Sequence, residues 1–430
     1  MQRRAVITGM GIVSPIGIGT DENWQHLLAG VSGIERLMRL NAEYLPVKIG
    51  AEVKNFNPRQ FITDKKALRL SFLNVHLALA AAKLAVDDAA LPLDRIDSKR
   101  FGAIIGSGGG GFDDGPGFED LNEPILRAWV EEEKKFDSAK FGEQGIPVAY
   151  PLFLLKALPN NAFYYISLFY NIQGENDNIV SSYTGGAQAI GDAFRSIRRG
   201  DADIMIAGGY DSLLTPNTIF SLHTLKLLSS RDDPACACRP FDRLRDGMVA
   251  GEGAGFVIVE ELSHAQQRGA RLYGEIIGYG NASSAYHIYN PSPTGDGVSK
   301  AMRRALADAA LDAEAVDWIN ADGISTPASD RAEAYALRTV FGERTAHIPV
   351  SATKSMTGHL GSASGAVEAI FTALALQHGT LPPTINYENP DPECQLNVVG
   401  VTPQELPIKT AMSINQGIGG QCTALIFKKL

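Results

Sequence analysis

Short apolar runs alternate with stretches of helical spacing along the whole chain, and the alternation restarts after about residue 268. In the first set, Arg4 to Thr8 reads as a strand, Asp21 as the cap of a helix through about Leu28, and Lys66 to Ala90 as one long buried helix. Strands follow at Phe101 to Ile105, around Val180, at Asp203 to Gly209 and at Gly253 to Glu261. Asn161 to Tyr170 and Pro216 to Leu228 read as helices. The second set has strands at Leu272 to Gly280, Val316 to Ala321, His347 to Ser351, Leu396 to Val399, Thr410 to Asn415 and Thr423 to Lys428. Its helices cover Val298 to Ala310, Ala328 to Val340 and a stretch ending near His378. This order predicts an α/β fold: a mostly parallel sheet covered on both faces, built as two duplicated halves, 1–268 and 269–430. Residues 112–145, acidic and broken by Gly and Pro, read as a surface insertion in the first half.

Composition narrows the function classes. A net charge of −9 argues against nucleic acid as the main ligand, which calls for a basic face. No apolar run reaches roughly 18 residues and the N-terminus opens on a strand, so neither a membrane span nor a signal peptide is expected. Four cysteines in 430 residues make no disulfide framework, and a reducing, cytoplasmic setting is expected.

The stretch Ile179-Val-Ser-Ser-Tyr-Thr-Gly-Gly-Ala-Gln-Ala-Ile-Gly191 reads as a buried strand turning sharply into a helix. A side chain at such an elbow points into a cleft beside the free N–H groups of a helix N-terminus, where Ser or Cys serves as a nucleophile. Here the residue is Tyr183.

Other motifs carry less. Gly106-x-Gly108-x-x-Gly111 follows a strand but runs into Asp113, Asp114 and Pro116, which would repel a pyrophosphate, and Gly9-Met-Gly11 is a partial match. Tight turns explain both better than nucleotide binding. Cys236-Ala-Cys238 lacks a second pair and a His at ligand spacing, so no metal site is expected. Cys394 and Cys422 are isolated thiols away from any elbow. Three loops that follow strands would converge at the strand ends of an open α/β sheet. They are Asn320-Ala-Asp322-Gly-Ile-Ser-Thr-Pro327, the run from Ser351 through Lys354 and His359 to Gly365, and Ser413-Ile-Asn-Gln416-Gly-Ile-Gly-Gly420.

These loops, with Val6-Ile-Thr-Gly-Met-Gly-Ile-Val-Ser-Pro15, the run Arg239-Pro-Phe-Asp to Gly255, Ala285-Tyr-His-Ile288 and Pro291-Ser-Pro293, carry a resemblance. The chain resembles the β-ketoacyl synthases of the thiolase fold over essentially its whole length. The resemblance implies a duplicated five-layer αβαβα core and no cofactor. It also implies condensation of an acyl chain with a malonyl unit, both on acyl carrier protein, by an elbow Cys and two His residues. In this chain Tyr183 stands at the Cys position and Asp322 at the first His, while His359, Lys354 and Glu368 are kept. Ile324 replaces a Thr that grips the pantetheine arm, Thr326 is kept, and Gln416, with Ile418 beside it, replaces a gating Phe.

A phenol with a pKa of about 10 is a poor acyl carrier. An ionised Asp322 opposes an enolate and the malonyl carboxylate. The site residues Tyr183, Asp322, His359, Lys354 and Glu368 therefore read as a degenerate centre, with Tyr183, Ile324, Thr326, Gln416 and Ile418 lining a tunnel or gate. The whole resembles a chain-length factor, the non-condensing subunit that pairs with a Cys-containing ketosynthase in type II polyketide, polyene or fatty acid biosynthesis. That family usually has Gln at the elbow, so Tyr183 departs from it too, either plugging the pocket or flooring the tunnel. Alternatives are a malonyl-carrier-protein decarboxylase, a homodimeric acyl-binding protein, and an unusual ketosynthase using Tyr or Asp. Lys65, Lys66 and Arg69 form a basic helix start that would suit an acidic carrier protein, or an ordinary solvated helix end.

Overall fold

The computed structural model describes residues 3–108 and 115–430. Strands β1 (Ala5–Ser14), β2 (Phe101–Ser107), β3 (Asn176–Ile179), β4 (Ile204–Ser212) and β5 (Glu252–Glu261) form one half of a large sheet, in the order β3-β2-β4-β5-β1. The other half contains β6 (Gly274–Ser283), β7 (Trp318–Asn320), β8 (Pro349–Ser351), β9 (Asn397–Val398), β10 (Thr410–Gln416) and β11 (Gln421–Lys428). Its order is β9-β8-β7-β10-β11-β6, and β6 meets β1 only along Ala5–Ile7. Counted from its own first strand and leaving out β9, the second half repeats the order 3-2-4-5-1 of the first.

The helices used below are α1 (Thr20–Leu28), α2 (Lys65–Arg69), α3 (Leu73–Asp88), α4 (Gly115–Ala128), α5 (Asn161–Tyr170), α6 (Gly185–Arg199), α7 (Pro216–Thr224), α8 (Asp296–Ala309), α9 (Pro327–Phe341) and α10 (Ser364–His378). Helices α3 and α5 share one apolar cluster with the outer face of the first half. Helices α6 and α10 fill the space between the halves, and α8 and α9 cover the outer face of the second. The result is the five-layer αβαβα arrangement of the thiolase fold.

Close helix-to-sheet approach explains Gly9-Met-Gly11. A Cβ on Gly11 would lie 2.0 Å from the Ala81 carbonyl oxygen of α3, and one on Gly9 2.4 Å from that of Ala85. Gly280 and Gly278 of β6 repeat the device against Ala301 and Ala305 of α8, at 2.0 and 2.4 Å. Gly106 has a different neighbour: its Cβ would meet the Gly185 backbone at 2.1 Å, so it seats the elbow helix rather than a phosphate. Gly111, Asp113 and Asp114 of that motif lie outside the described residues.

Several expectations need correction. The sheet is mixed rather than mostly parallel: β2, β3 and β4, and likewise β7, β8, β9 and β10, pair in parallel, while β4-β5-β1-β6 and β6-β11-β10 are antiparallel. The short turn 417–420 between β10 and β11 admits only an antiparallel pair. The expected helix from Lys66 to Ala90 is two helices, broken where Ser71 hydrogen-bonds the Ala67 carbonyl and Phe72 turns extended at ψ 175°. Gly19, not Asp21, is the N-cap of α1, and Asp21 sits in its first turn. The expected helix from Pro216 to Leu228 stops at Thr224.

The strand before the elbow is not buried. β3 is an edge strand, half-buried to exposed, and Val180 beyond it is exposed. Residues 115–145 are more than a loop excursion. They carry α4 and a small ribbon pairing Trp129–Val130 with Lys135–Phe136, and Asp120 is tied to Lys156 at 2.5 Å. Among the described residues no helix is long and apolar enough to cross a membrane.

Candidate active site

The elbow forms where β3 ends against β2 and the chain turns through Ser182, whose φ of 47° is a left-handed conformation costly for a non-glycine residue. Tyr183 lies in the short turn Ser182–Thr184 immediately before α6. Small residues then let the two central helices meet. A Cβ on Gly186 would stand 3.0 Å from the Ala366 side chain, and one on Gly365 2.7 Å from that of Ala187. This crossing brings the N-terminus of α6, with Tyr183, beside the segment leading into α10, with His359.

His359 is buried and its backbone is pinned to 249–251, its N–H donating to Val249 at 2.8 Å and its carbonyl accepting from Gly251 at 2.9 Å. The Gly361 N–H donates to Nδ1 at 3.1 Å, so Nδ1 is the acceptor nitrogen and Nε2 carries the proton. That Nε2 is buried and has no partner among the described residues. Burial, reinforced by the Lys354 charge, holds the imidazole pKa well below its ordinary value, and the ring is neutral. The Tyr183 ring lies against it at 4.3 Å between centroids, tilted 58°. Burial and the nearby Asp211 carboxylate raise the phenol pKa above its ordinary value, which removes Tyr183 as an oxyanion nucleophile at neutral pH.

Behind this pair lies a buried charge network. Lys354 Nζ donates to the Asp322 carbonyl and to Asp322 Oδ1, both at 2.8 Å, and to Glu368 Oε1 at 2.5 Å. Asn415 Nδ2 donates to Glu368 Oε2 at 2.5 Å. Burial alone would lower the Lys354 pKa, but Asp322 and Glu368 together raise it. Burial lifts Glu368 to about 7 against the pull of Lys354, with Asp322 adding to the rise. Glu333 of α9 accepts from the N–H groups of Asp322 and Gly323 at 2.8 and 2.9 Å, and burial followed by the Asp322 charge raises its pKa. Asp322 thus shares the Lys354 ammonium with Glu368 and stands next to a further buried carboxylate, Glu333, and both Glu368 and Glu333 are pushed toward holding protons. The Asp322 Oδ2 is buried without a partner among the described residues.

A cleft of about 570 Å³ opens in front of Tyr183 and is lined also by Ile324, Gln416, Ile418, Ser284 and Ser292. Asp322, Lys354, His359 and Glu368 do not line it. Tyr183 therefore separates the cleft from the polar network. Tyr183, Asp322, Lys354, His359 and Glu368 come together as the sequence suggests, and Ile324, Gln416 and Ile418 face the cleft. Thr326 does not. It caps α9, its hydroxyl accepting from the Ser329 N–H at 3.2 Å, and Pro327 then opens the helix. Lys65, Lys66 and Arg69 are exposed on the five-residue helix α2, capped by Asp64. All four cysteines are free, and Cys238 and Cys422 are buried, their thiols pushed up to about 12 by burial. Among the described residues no cluster of three or more His, Cys, Asp or Glu side chains could hold a metal ion.

Three contributors escape a reading of the sequence. Asn415 lies near the end of β10, and only its contact with Glu368 distinguishes it from its neighbours. Glu333 sits mid-helix among apolar positions, a buried acid whose periodicity is the available signal. Asp211, next to last in β4, accepts from the Ser362 N–H at 2.8 Å, which ties the sheet to the turn after His359.

Two families match in tandem: "Beta-ketoacyl synthase, N-terminal domain" over residues 2–265 and "Beta-ketoacyl synthase, C-terminal domain" over residues 273–388. The 3-oxoacyl-[acyl-carrier-protein] synthase 2 of Staphylococcus aureus strain COL is 40% identical over 427 residues, 99% of this chain and 98% of that protein. The protein of the same name from Coxiella burnetii is 41% identical over 430 residues, 100% of this chain and 99% of its own length. Among solved structures, the ishigamide ketosynthase/chain length factor superposes with a TM-score of 0.89 at 30% identity, covering all of both chains. A chain of the complex of a type II PKS acyl-carrier protein with its ketosynthase superposes with a TM-score of 0.87 at 31% identity, again over both whole chains. The chain belongs to the β-ketoacyl synthase family.

Proposed function

We propose that this chain is a non-condensing member of its family, a chain-length-factor-like subunit that pairs with a Cys-containing ketosynthase and shapes the space for its growing acyl chain. One observation carries the reading: Tyr183 occupies the elbow where the nucleophile is expected, and its ring covers His359. Loss of a single oxyanion donor costs roughly 10²–10³ in rate, and loss of the nucleophile in a coupled set far more. With Asp322 in place of a second donor, both losses are combined. The relatives of about 40% identity are named as synthases, so the scaffold is that of a condensing enzyme and the change is local to the site.

Pairing with a second chain draws support from the β3 edge, whose outward N–H and C=O groups have no neighbour strand among the described residues. Val180 and, on α5, Tyr164, Leu168 and Phe169 are exposed large apolar side chains. The domain division at 268 belongs to the same reading, each half contributing one wall of the site.

The test is biochemical. The purified chain, given acyl- and malonyl-carrier protein, forms no β-ketoacyl product, and co-expression with a Cys-containing ketosynthase yields a 1:1 complex that does. Product formation by the chain alone would overturn the proposal. The free His359 Nε2–H favours one second reading, a malonyl-carrier-protein decarboxylase, which rapid CO₂ release without condensation would support.

A further inference from the structure

Two atoms of the site have hydrogen-bonding capacity that no described residue uses. His359 Nε2–H is a donor and Asp322 Oδ2 an acceptor, on residues each 1% exposed. Each is oriented from its other side. The Gly361 N–H on Nδ1 sets the His359 tautomer, and Lys354 Nζ holds Asp322 by Oδ1. The free atoms are therefore fixed in role, one donating and one accepting. Leaving such atoms unserved in a dry interior is costly, so a pair of them calls for a group that completes it.

The pair selects by charge as well as by hydrogen bonding. Burial disfavours any net charge brought here, an anion also meets the Asp322 carboxylate, and a cation meets the Lys354 ammonium. An acceptor-only group such as a ketone leaves Asp322 Oδ2 unserved. What remains is a neutral group that both accepts and donates: a carboxamide or a hydroxyl. The approach suits an aliphatic chain. Leu227, Met248, Ile324 and Ile418 line the cleft of about 570 Å³ in front of Tyr183 and share one apolar cluster with it. Tyr183 itself is half-buried in a short turn, and none of the hydrogen bonds among the described residues involves its hydroxyl.

We propose that the space held by the Tyr183 ring is a binding site for the end of an aliphatic chain bearing a carboxamide or a hydroxyl, which displaces the ring and bonds both His359 Nε2–H and Asp322 Oδ2. This rests on the reading of the chain as one that shapes the space for an acyl chain, and it names the end group which that space selects. Asp322 is the specificity-determining residue. With His at that position, as the family pattern has it, the space would offer two donors and favour an acceptor-only or anionic end. Asp322 makes it a donor–acceptor site instead.

The test titrates the full chain at neutral pH with hexanamide, hexanol, hexanoate and hexylammonium, following the His359 imidazole by NMR. Hexanamide and hexanol are expected to shift that resonance and to bind about tenfold or more tightly than the two charged ligands. Their order tells carboxamide from hydroxyl. In Asp322→Asn, with circular dichroism and melting temperature as in the parent, the new amide nitrogen replaces Oδ2 as a donor, and hexanoate should match or overtake hexanamide. Tyr183→Ala should tighten hexanamide binding and keep its preference over hexanoate, a result that does not depend on Asp322→Asn folding. Hexanoate or hexylammonium binding the parent as tightly as hexanamide, or a preference unchanged in Asp322→Asn, overturns the proposal. So does binding by Tyr183→Ala but not by the parent, or by neither. None of these outcomes touches the non-condensing reading, which stands or falls on product formation by the isolated chain.

Discussion

The Tyr183 ring and the His359 imidazole pack at 4.3 Å between centroids, so the aromatic residue shields the histidine's unpartnered Nε2 from the cleft. Each depends on the other. The phenol finishes the wall of the cleft, and the imidazole stays dry and neutral behind it.

Replacing Tyr183 by Ala should open that wall. Water reaching the ring weakens the desolvation that holds His359 low, so its pKa rises toward the ordinary value, as measured by NMR titration of the imidazole. Tyr183 is half-buried, and the expected stability loss is about 1–3 kcal/mol in urea unfolding, below the range for a fully buried aromatic.

Asp322→Asn tests the carboxylate network. Glu368, lifted to about 7 from an ordinary 4.5, keeps in the folded state a proton that the unfolded chain releases. Its contribution to stability is full below about pH 4.5, is lost as pH rises to about 7, and is flat above. Asp330, also held at about 7, by burial against the pull of Arg245, acts in the same direction. The wild-type urea midpoint should fall between pH 5 and 8. In Asp322→Asn, where one cause of the Glu368 shift is gone, the fall should be smaller.

Glu333→Ala strips the acceptor from two buried N–H groups, those of Asp322 and Gly323. Each unsatisfied donor costs about 1–3 kcal/mol, and a loss of about 2–5 kcal/mol is expected in equilibrium unfolding. Glu333→Gln, which still offers one oxygen, should lose less.

Gly106→Ala places a methyl group 2.1 Å from the Gly185 backbone. Neither partner is a flexible side-chain tip, so α6 must shift. The variant is expected to lose at least about 3 kcal/mol, at the upper end of overpacking costs, or to accumulate as insoluble protein.

Most strands are legible in the sequence because a strand covered on both faces is an uninterrupted apolar run, as at Phe101–Ser107 and Glu252–Glu261. Strand direction is not, because an apolar run reads the same in either sense; this is why the antiparallel pairs of β1 with β5 and β6 do not show. The break at Ser71–Phe72 is hidden for another reason: both residues fit an apolar helix, and whether the Ser71 hydroxyl turns back to the Ala67 carbonyl four residues earlier does not show in the residue types. In the site, Tyr183, Asp322 and His359 stand out as residues at loop positions that call for chemistry. Thr326 misleads, since a hydroxyl before Pro327 serves equally as a cap and as a ligand contact. Glu333 leaves only its place on the buried side of α9 as a signal, and the N–H groups it holds appear only in the fold.

The β3 edge strand ends three residues before Ser182, at the rim of the sheet. A chain laid along that rim would pull on the same backbone that presents Tyr183 to the cleft. The strand would then act as a lever and the left-handed Ser182 turn as its fulcrum, so that a quaternary neighbour would reset the shape of the pocket.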